Sequence, residues 1–205
     1  VSKLTIYKDI IELSSCYYGL RRSEIIGLKW SAVDFDYKTI TIKHVVSECR
    51  IDGKLLLVSK DRAKTKSSLR ALPLNEDLKD RLIEIKKQQE MYQKKFKRSY
   101  DRNWLDYVMV DELGGLILPD YITPAWKRLL EKDNMRVIRF HDLRHTCASL
   151  LLNKGKHDGI TLKDIQVWLG HSDFSTTANT YSHLDATSKV SSLSALSGAV
   201  SLAGC

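Results

Sequence analysis

The sequence predicts an α+β domain that is mainly helical and carries a small three-stranded antiparallel sheet. Two observations lead to this fold class. Apolar residues recur at helical spacing in several segments, whereas three short aliphatic stretches between residues 39 and 74 are separated by turn or polar sequence. The chain has 205 residues, fewer than the length at which one core usually splits, so we expect one domain.

Two helices are predicted before the sheet. The first spans residues 4–18 and ends at Gly19, since glycine readily adopts the left-handed conformation that closes a helix. The second begins at Ser23 and turns Ile25, Ile26 and Trp30 toward the interior.

The three predicted strands cover residues 39–45, 54–58 and 69–74. Asp52-Gly53 is a favourable turn between the first two strands. Residues 61–68 form a basic, polar connection between the second and the third.

Four further helices are predicted downstream. They run from a cap at Asn75 to about Tyr100, from Thr123-Pro124 to Leu130, over 140–153 and over 162–169. A short strand at 107–110 and a turn at Gly114-Gly115 lie between the first two of these helices.

The charge balance favours a polyanionic partner. The chain contains 33 Lys and Arg against 25 Asp and Glu, which gives a net charge of +8, and nucleic acid is the commonest partner of such a surface. Lysines crowd the second half of the long helix after Asn75, where a solvated helix face is favoured over a DNA-backbone contact.

The cysteines and the hydropathy pattern indicate a reducing, cytoplasmic protein. The four cysteines are widely separated and form no CxxC pair, so we expect neither a zinc site nor a disulfide framework; they are Cys16, Cys49, Cys147 and Cys205. No apolar run is as long as a membrane span, no signal peptide is evident, and the start at Val1 suggests a fragment of a longer protein.

Five side chains in three segments suit a phosphodiester that is attacked by a phenol. Arg21 and Arg144 are expected to donate paired hydrogen bonds to the phosphate, with His171 as a third donor. Tyr181 is the expected nucleophile and His141 the residue that assists its proton transfer. The covalent tyrosyl phosphodiester keeps the bond energy, so neither ATP nor a metal is expected.

The departing 5′-hydroxyl also needs a proton. Lys64, in the basic connection before the third strand, is the first choice for this role and Lys66 is the second.

Each residue also has a simpler interpretation. His141 and His145 have the i,i+4 spacing of zinc-binding helices, but no glutamate lies between them and Arg144 brings a cation close. Arg144 alone suits a buried ion pair, for example with Glu24, and Tyr181 alone suits core packing. The ordered set favours the chemical function over these alternatives.

The same segments resemble those of the tyrosine recombinases, the phage-integrase family, over nearly the whole chain. Residues 19–24 are similar to the first arginine box, which implies catalytic Arg21 and a bracing Glu24; Lys64 falls in a segment similar to the lysine hairpin. Residues 141–145 resemble the second box, implying His141 and Arg144 as catalytic and His145 as supporting. His171 and Tyr181 match the remaining catalytic positions.

The resemblance implies the DNA breaking-rejoining fold and site-specific recombination through a 3′-phosphotyrosine link, for a phage or mobile element. It further implies a homotetramer on double-stranded DNA sites, in the cytoplasm and at the nucleoid of a bacterial host. Residues 1–186 correspond to the catalytic domain and 187–205 to a tail that docks in cis or in trans. The core-binding and arm-binding domains of the family are not found in the sequence.

Two other functions remain open at this point. A type IB topoisomerase-like enzyme uses the same tyrosine chemistry to relax supercoils, and a DNA-binding module without catalysis would only occupy its sites.

Overall fold

The computed structural model describes residues 17–61, 69–155, 158–173 and 175. Several sequence predictions therefore concern residues outside the described ranges. These are most of the helix at 4–18, Cys16 and Cys205, the two lysines Lys64 and Lys66, the nucleophile Tyr181, and the tail at 187–205.

The first described helix, α1, spans Arg22–Ile26 and begins one residue before the predicted start at Ser23. It is fixed by apolar burial, since Ile25 and Ile26 are fully buried as predicted. A short 3₁₀ turn, Trp30–Ala32, and a two-residue strand β1, Val33–Asp34, follow it.

The strands form two small antiparallel sheets rather than the one predicted sheet. Strands β2, Thr39–Ile42, and β3, His44–Ile51, replace the predicted strand 39–45, and they are followed by β4, Lys54–Asp61, and β5, Arg70–Pro73. The order β1-β2-β5 makes a three-stranded sheet, while β3 and β4 pair only with each other. The α+β class is confirmed, and the composition of the predicted sheet is wrong.

The tight turn between β3 and β4 explains this division. Asp52 and Gly53 both have positive φ, 51° and 75°, as a two-residue hairpin turn requires. The turn pairs Ile51 with Lys54 and continues the ladder to His44 opposite Asp61. Strand β2 has β1 on one side and β5 on the other, so both of its edges are occupied and it does not pair with β4.

A polar cluster ties the β3–β4 hairpin to the rest of the chain. The Nδ1 atom of buried His44 lies 2.6 Å from Oδ1 of Asp61, and its Nε2 lies 2.8 Å from Oγ of Ser59 and 3.0 Å from the Tyr107 hydroxyl. Tyr107 belongs to the main core, so the cluster anchors the open end of the hairpin.

The long helix after the sheets, α2, spans Glu76–Phe96 and starts at the predicted cap, where Asn75 Oδ1 accepts from the Leu78 amide at 3.0 Å. The predicted short strand at 107–110 is wrong, because Tyr107 and Val110 each form only an isolated bridge, with Lys29 and Leu116. Gly114 has φ +82° and makes the predicted turn.

Helix α3 spans Pro119–Lys132, so the predicted start at Thr123-Pro124 is wrong. Pro119 takes the first turn, where a missing N–H costs little, and Pro124 lies inside the helix. Ile122, Trp126 and Leu130 are buried on one face, and this packing outweighs the amide bond that Pro124 cannot make.

The last two described helices meet through a small apolar cluster. They are α4, Asp142–Gly155, and α5, Leu162–Leu169, both within two residues of the prediction. Ala148 and Leu152 of α4 pack against Ile165 and Leu169 of α5. This contact fixes the end of α5 beside the middle of α4. None of the described helices has the length and apolar character needed to cross a membrane.

Candidate active site

Arg144 joins three segments of the chain. It lies in α4, its side chain is buried, and Nη1 donates to the Gly19 carbonyl at 2.5 Å while Nη2 donates to the Leu169 carbonyl at 2.6 Å. The planar guanidinium suits such paired bonds. The simpler interpretation paired Arg144 with Glu24, whereas these two bonds go to backbone carbonyls.

Gly19 lets the first arginine segment approach α5 closely. Its φ is +57°, and a Cβ at this position would lie 2.7 Å from Leu169 Cδ2. Both the left-handed backbone and the close approach require glycine. The left-handed conformation expected of Gly19 is confirmed, although most of the helix that it was predicted to end lies outside the described ranges.

Arg21 is held on two sides. Its Nη1 donates to Glu24 Oε1 at 2.9 Å and its Nη2 to the Gly170 carbonyl at 3.3 Å, while its backbone amide donates to Glu24 Oε2 at 2.8 Å. The Arg21 side chain remains 28% exposed, so part of the guanidinium can be reached from solvent.

Arg70 is a site residue that the sequence analysis missed. It begins β5, is only 6% exposed, and donates to both oxygens of Glu24, from Nη1 at 3.3 Å and from Nη2 at 3.1 Å. A signal was available, because burial alternates along the strand and places Arg70 on the same inward face as Leu72. An arginine at an inward strand position indicates a buried partner.

The Glu24 carboxylate is consequently held in its charged form. Burial alone would raise its pKa, but charge attraction and hydrogen bonds from Arg70, together with those from Arg21, outweigh burial and lower the pKa to about 2. One carboxylate thus lies between two guanidinium groups.

The sequence of α5 fixes the position of His171. Thr161 and Asp164 cap the start of the helix reciprocally, with Asp164 Oδ2 accepting from the Thr161 amide at 2.8 Å. Gly170 ends the helix with φ +65°, and the His171 amide donates back to the Gln166 carbonyl at 3.1 Å. A short helix with defined ends therefore presents His171 beside the two carbonyls that the arginines contact.

His171 is neutral at neutral pH in this setting. Desolvation is the largest cause, followed by the nearby cations of Arg144, Arg21 and Arg70, and together they lower its pKa to about 4. The neutral ring retains one N–H that can donate.

His141 and His145 face each other at the start of α4. Their ring centroids lie 5.3 Å apart at an interplanar angle of 84°. Desolvation, then the charges of His145, Arg144 and Arg21, lower the pKa of His141, which favours a neutral ring that can accept a proton.

His141 also borders an open cleft. The cleft measures about 340 Å³ and is lined by Leu20, Arg22, Thr123, Arg139, Phe140 and His141. Within the described ranges, no group of three His, Cys, Asp or Glu side chains is placed to hold a metal ion. Of the two described cysteines, Cys147 is buried and its Sγ donates to the Tyr17 carbonyl at 3.9 Å, while Cys49 is half-buried.

The structure thus brings most of the predicted set together. Four of the predicted residues meet around the end of α5: Arg21, Glu24, Arg144 and His171. His141 and His145 lie close enough for their charges to interact with this group. Tyr181, Lys64 and Lys66 lie outside the described residues. The described part is a cluster of fixed cationic and neutral donors, which suits an anionic, tetrahedral group such as a phosphodiester.

Comparison with curated proteins finds bacterial and phage recombinases. The chain is 30% identical over 171 residues to a XerC-like tyrosine recombinase of Caldanaerobacter subterraneus, covering 81% of this chain and 43% of the relative. It is 29% identical over 167 residues to the ICEBs1 integrase of Bacillus subtilis, covering 81% and 42%. The chain therefore spans less than half the length of these relatives.

Solved structures share the fold. The Tn1549 transposon integrase, determined in complex with transposon right-end DNA, superposes with a TM-score of 0.72 at 22% identity, covering 96% of this chain and 60% of that one. The XerA recombinase gives a TM-score of 0.54 at 21% identity, covering 95% and 63%. The phage integrase family model matches residues 4–188. Since that match takes in most of the 205 residues, the chain belongs to the phage integrase family of tyrosine recombinases.

Proposed function

We propose that this chain cleaves and rejoins DNA as the catalytic part of a site-specific recombinase, with Tyr181 as nucleophile. One observation carries the proposal. Arg144 and Arg21 donate to consecutive carbonyls, those of Leu169 and Gly170, in the same turn that presents His171. Three donors from distant parts of the sequence therefore converge at one place.

The three donors would act on the two non-bridging oxygens of the scissile phosphate. Negative charge on these oxygens grows as the pentavalent transition state forms, and fixed donors stabilise it without having to reorganise. Arg21 is the more accessible arginine, at 28% side-chain exposure, while buried Arg144 is held more firmly. His171 adds a neutral N–H rather than a further charge.

Tyr181 would attack phosphorus through its phenolic oxygen and transfer its proton to neutral His141. The bond from phosphorus to the 5′-oxygen breaks, and that oxygen takes a proton from the ammonium of Lys64, or of Lys66 as second choice. The products are a 3′-phosphotyrosine and a free 5′-hydroxyl. Attack by a 5′-hydroxyl on the phosphotyrosine reverses the step, so we propose that neither ATP nor a metal takes part.

The proposed partner is double-stranded DNA carrying recombination sites. The net charge of +8 supports a polyanionic partner, and the Tn1549 integrase was solved bound to DNA. In this proposal residues 1–186 form the catalytic domain, residues 187–205 a tail, and four copies assemble on two DNA sites at the nucleoid of a bacterial host. Integration or excision of a phage or mobile element is the proposed outcome.

A nicked suicide substrate tests the proposal directly. Because the short 5′ product diffuses away after cleavage, the protein should remain covalently attached to the 3′ end. We expect a DNA adduct with the full chain that is absent in Tyr181→Phe and retained in Tyr121→Phe, a control at a tyrosine with 57% exposure on α3. Binding without an adduct would instead indicate a DNA-binding module, and relaxation of supercoiled DNA without strand exchange a topoisomerase.

A further inference from the structure

Arg70 and Arg21 share a single buried carboxylate. Glu24 is 1% exposed and receives two hydrogen bonds from the Arg70 guanidinium, one from the Arg21 guanidinium and one from the Arg21 amide. Each Glu24 oxygen therefore accepts one bond from each arginine residue. The two bonds from Arg70 fix the plane of the carboxylate, and this plane fixes where Arg21 points.

The charges of these three groups do not cancel. Two guanidinium cations and one carboxylate leave a net charge of +1, whereas Glu24 with Arg21 alone would be neutral. Arg70 is 6% exposed while the Arg21 side chain is 28% exposed, so the surplus positive charge is presented to solvent by Arg21. Arg70 also acts at longer range, because its charge is one of those that hold His171 neutral.

One feature of Arg70 does not favour stability. Its Nε is buried, and no described residue accepts a hydrogen bond from it. A buried donor without a partner is destabilising, and buried ion pairs can often be replaced by apolar residues at little cost to stability. A role in orienting Glu24 and in adding positive charge to the site accounts for an arginine at this position.

We propose that Arg70 is a positioning residue for DNA cleavage: it offsets the charge of Glu24 and orients its carboxylate, so that the cluster keeps a net positive charge and Arg21 keeps its direction toward the phosphate. The proposal rests on the proposed function. Without Arg70, Arg21 would carry more of the charge balance of Glu24, and the carboxylate could turn to pair with both Nη atoms of Arg21. Arg21 would then leave the Gly170 carbonyl and attract the phosphate less strongly.

The test compares Arg70→Met with the double variant Arg70→Met/Glu24→Gln. The single variant leaves a neutral pair of Glu24 and Arg21, whereas the double variant restores the net charge of +1. We expect single-turnover cleavage at saturating DNA to fall about 100-fold in the single variant and to recover about 10-fold in the double variant, with DNA affinity changed less than about 3-fold. Rates are normalised to the folded fraction, measured by circular dichroism.

Gln89→Leu controls for the general loss of a buried polar anchor. Gln89 is 7% exposed and bonds the Trp30 indole and the Val108 carbonyl, away from the candidate site. We expect this variant to lose stability but to cleave at the wild-type rate. If Arg70→Met does not fold, Arg70→Lys serves, because it keeps the charge but loses the two-pronged contact; a fall of about 10-fold is expected.

Three results would overturn the inference. Arg70→Met could cleave at the wild-type rate per folded molecule, or the double variant could cleave no faster than the single one. In both cases the wild-type adduct still forms, so the proposed function stands. A wild-type chain that forms no adduct on the suicide substrate overturns the proposed function and this inference together.

Discussion

Arg144 Nη2 lies 2.6 Å from the carbonyl oxygen of Leu169, and this contact links the second arginine segment directly to the end of α5. The same guanidinium also bonds the Gly19 carbonyl at 2.5 Å. A candidate catalytic residue therefore also holds the site together. The two arginines should consequently respond differently to the same substitution.

Arg144→Lys should lower both stability and activity. A lysine ammonium cannot span the carbonyls of Gly19 and Leu169 with the geometry of a guanidinium, so one buried carbonyl loses its donor. We expect the free energy of unfolding to fall by about 1–3 kcal/mol, measured by urea denaturation. Cleavage per folded molecule should fall about 100- to 1000-fold.

Arg21→Lys should separate the two effects. Glu24 keeps its bonds from Arg70, and the Arg21 side chain is partly exposed, so stability should change by about 1 kcal/mol or less. Cleavage should still fall about 100-fold, because lysine loses the paired hydrogen bonds to the phosphate. Equal destabilisation by the two lysine variants would contradict this distinction. A loss of DNA binding by Arg21→Lys as large as its loss of cleavage would also contradict it.

Gly170→Ala should disturb the site through the backbone. Gly170 has φ +65°, and alanine in this left-handed conformation costs about 1 kcal/mol. The strain falls on the carbonyl that Arg21 contacts and on the residue next to His171. Cleavage should therefore fall about 10-fold or more beyond the loss of folded protein.

Gly53→Ala provides the matched control. Gly53 has a similar φ of +75°, lies in the β3–β4 turn, and has no atom within 4 Å of an added Cβ. Both variants should lose thermal stability, with the larger loss at buried Gly170, and only Gly170→Ala should lose cleavage per folded molecule. Equal cleavage by the two alanine variants would show that the turn at Gly170 does not position the donors.

Several candidate site residues could be predicted from the sequence because each lies beside a strong local signal. Gly19 and Gly170 mark chain reversals with positive φ, and Arg144 follows the start of a helix that is confirmed within two residues. Local signals of this kind do not depend on which distant segments meet. They therefore singled out Arg21, Arg144 and His171 as candidates before the fold was known.

The errors lie where tertiary contacts decide. Nothing local to residues 39–45 shows that pairing switches at Lys43, because the switch depends on the partners: residues 39–42 pair with β5 and residues 44–51 with β4. The start of α3 depends on Ile122 and Trp126 packing on the core. Arg70 was missed because its partner Glu24 lies 46 residues away in the sequence. Strand alternation indicates burial of Arg70 but cannot identify its partner.

His171 should titrate far below an ordinary histidine. Its pKa of about 4 in the free protein lies below the usual 6.5, so the unfolded state binds more protons between these two values. The stability that neutral His171 contributes is therefore complete above pH 6.5 and is lost as the pH falls toward 4. Ring-proton NMR against pH, assigned with His171→Gln, measures this pKa.

DNA binding should move the same pKa upward. A bound phosphodiester adds negative charge beside the imidazole and offsets the cations of Arg144 and Arg21 that lower the pKa in the free protein. A free-protein value near 6.5 would mean that His171 is not packed among these cations. A pKa that DNA leaves unchanged would place the phosphate elsewhere.

Glu24 should make the free energy of unfolding depend on pH in a lower range than His171 does. Its folded-state pKa of about 2 lies below the usual 4.5, so the unfolded state binds more protons in this interval and stability rises with pH across it. The contribution is complete above about pH 5 and is on the order of 3 kcal/mol.

Glu24→Gln removes it and leaves the cations of Arg21 and Arg70 without their carboxylate. Urea denaturation between pH 2 and 7 gives the free energy of unfolding of the wild type and of Glu24→Gln. The gap between these two free energies should be largest at neutral pH and narrow below pH 4.5. His171 contributes equally to both proteins and cancels from the gap. Glu76→Gln is the control, since Glu76 also has a lowered pKa, from hydrogen bonds with Lys38 and Lys79, but is exposed and should show little gap. A gap for Glu24→Gln that stays constant down to pH 2 would mean that the carboxylate is not held in its charged form by the two arginines.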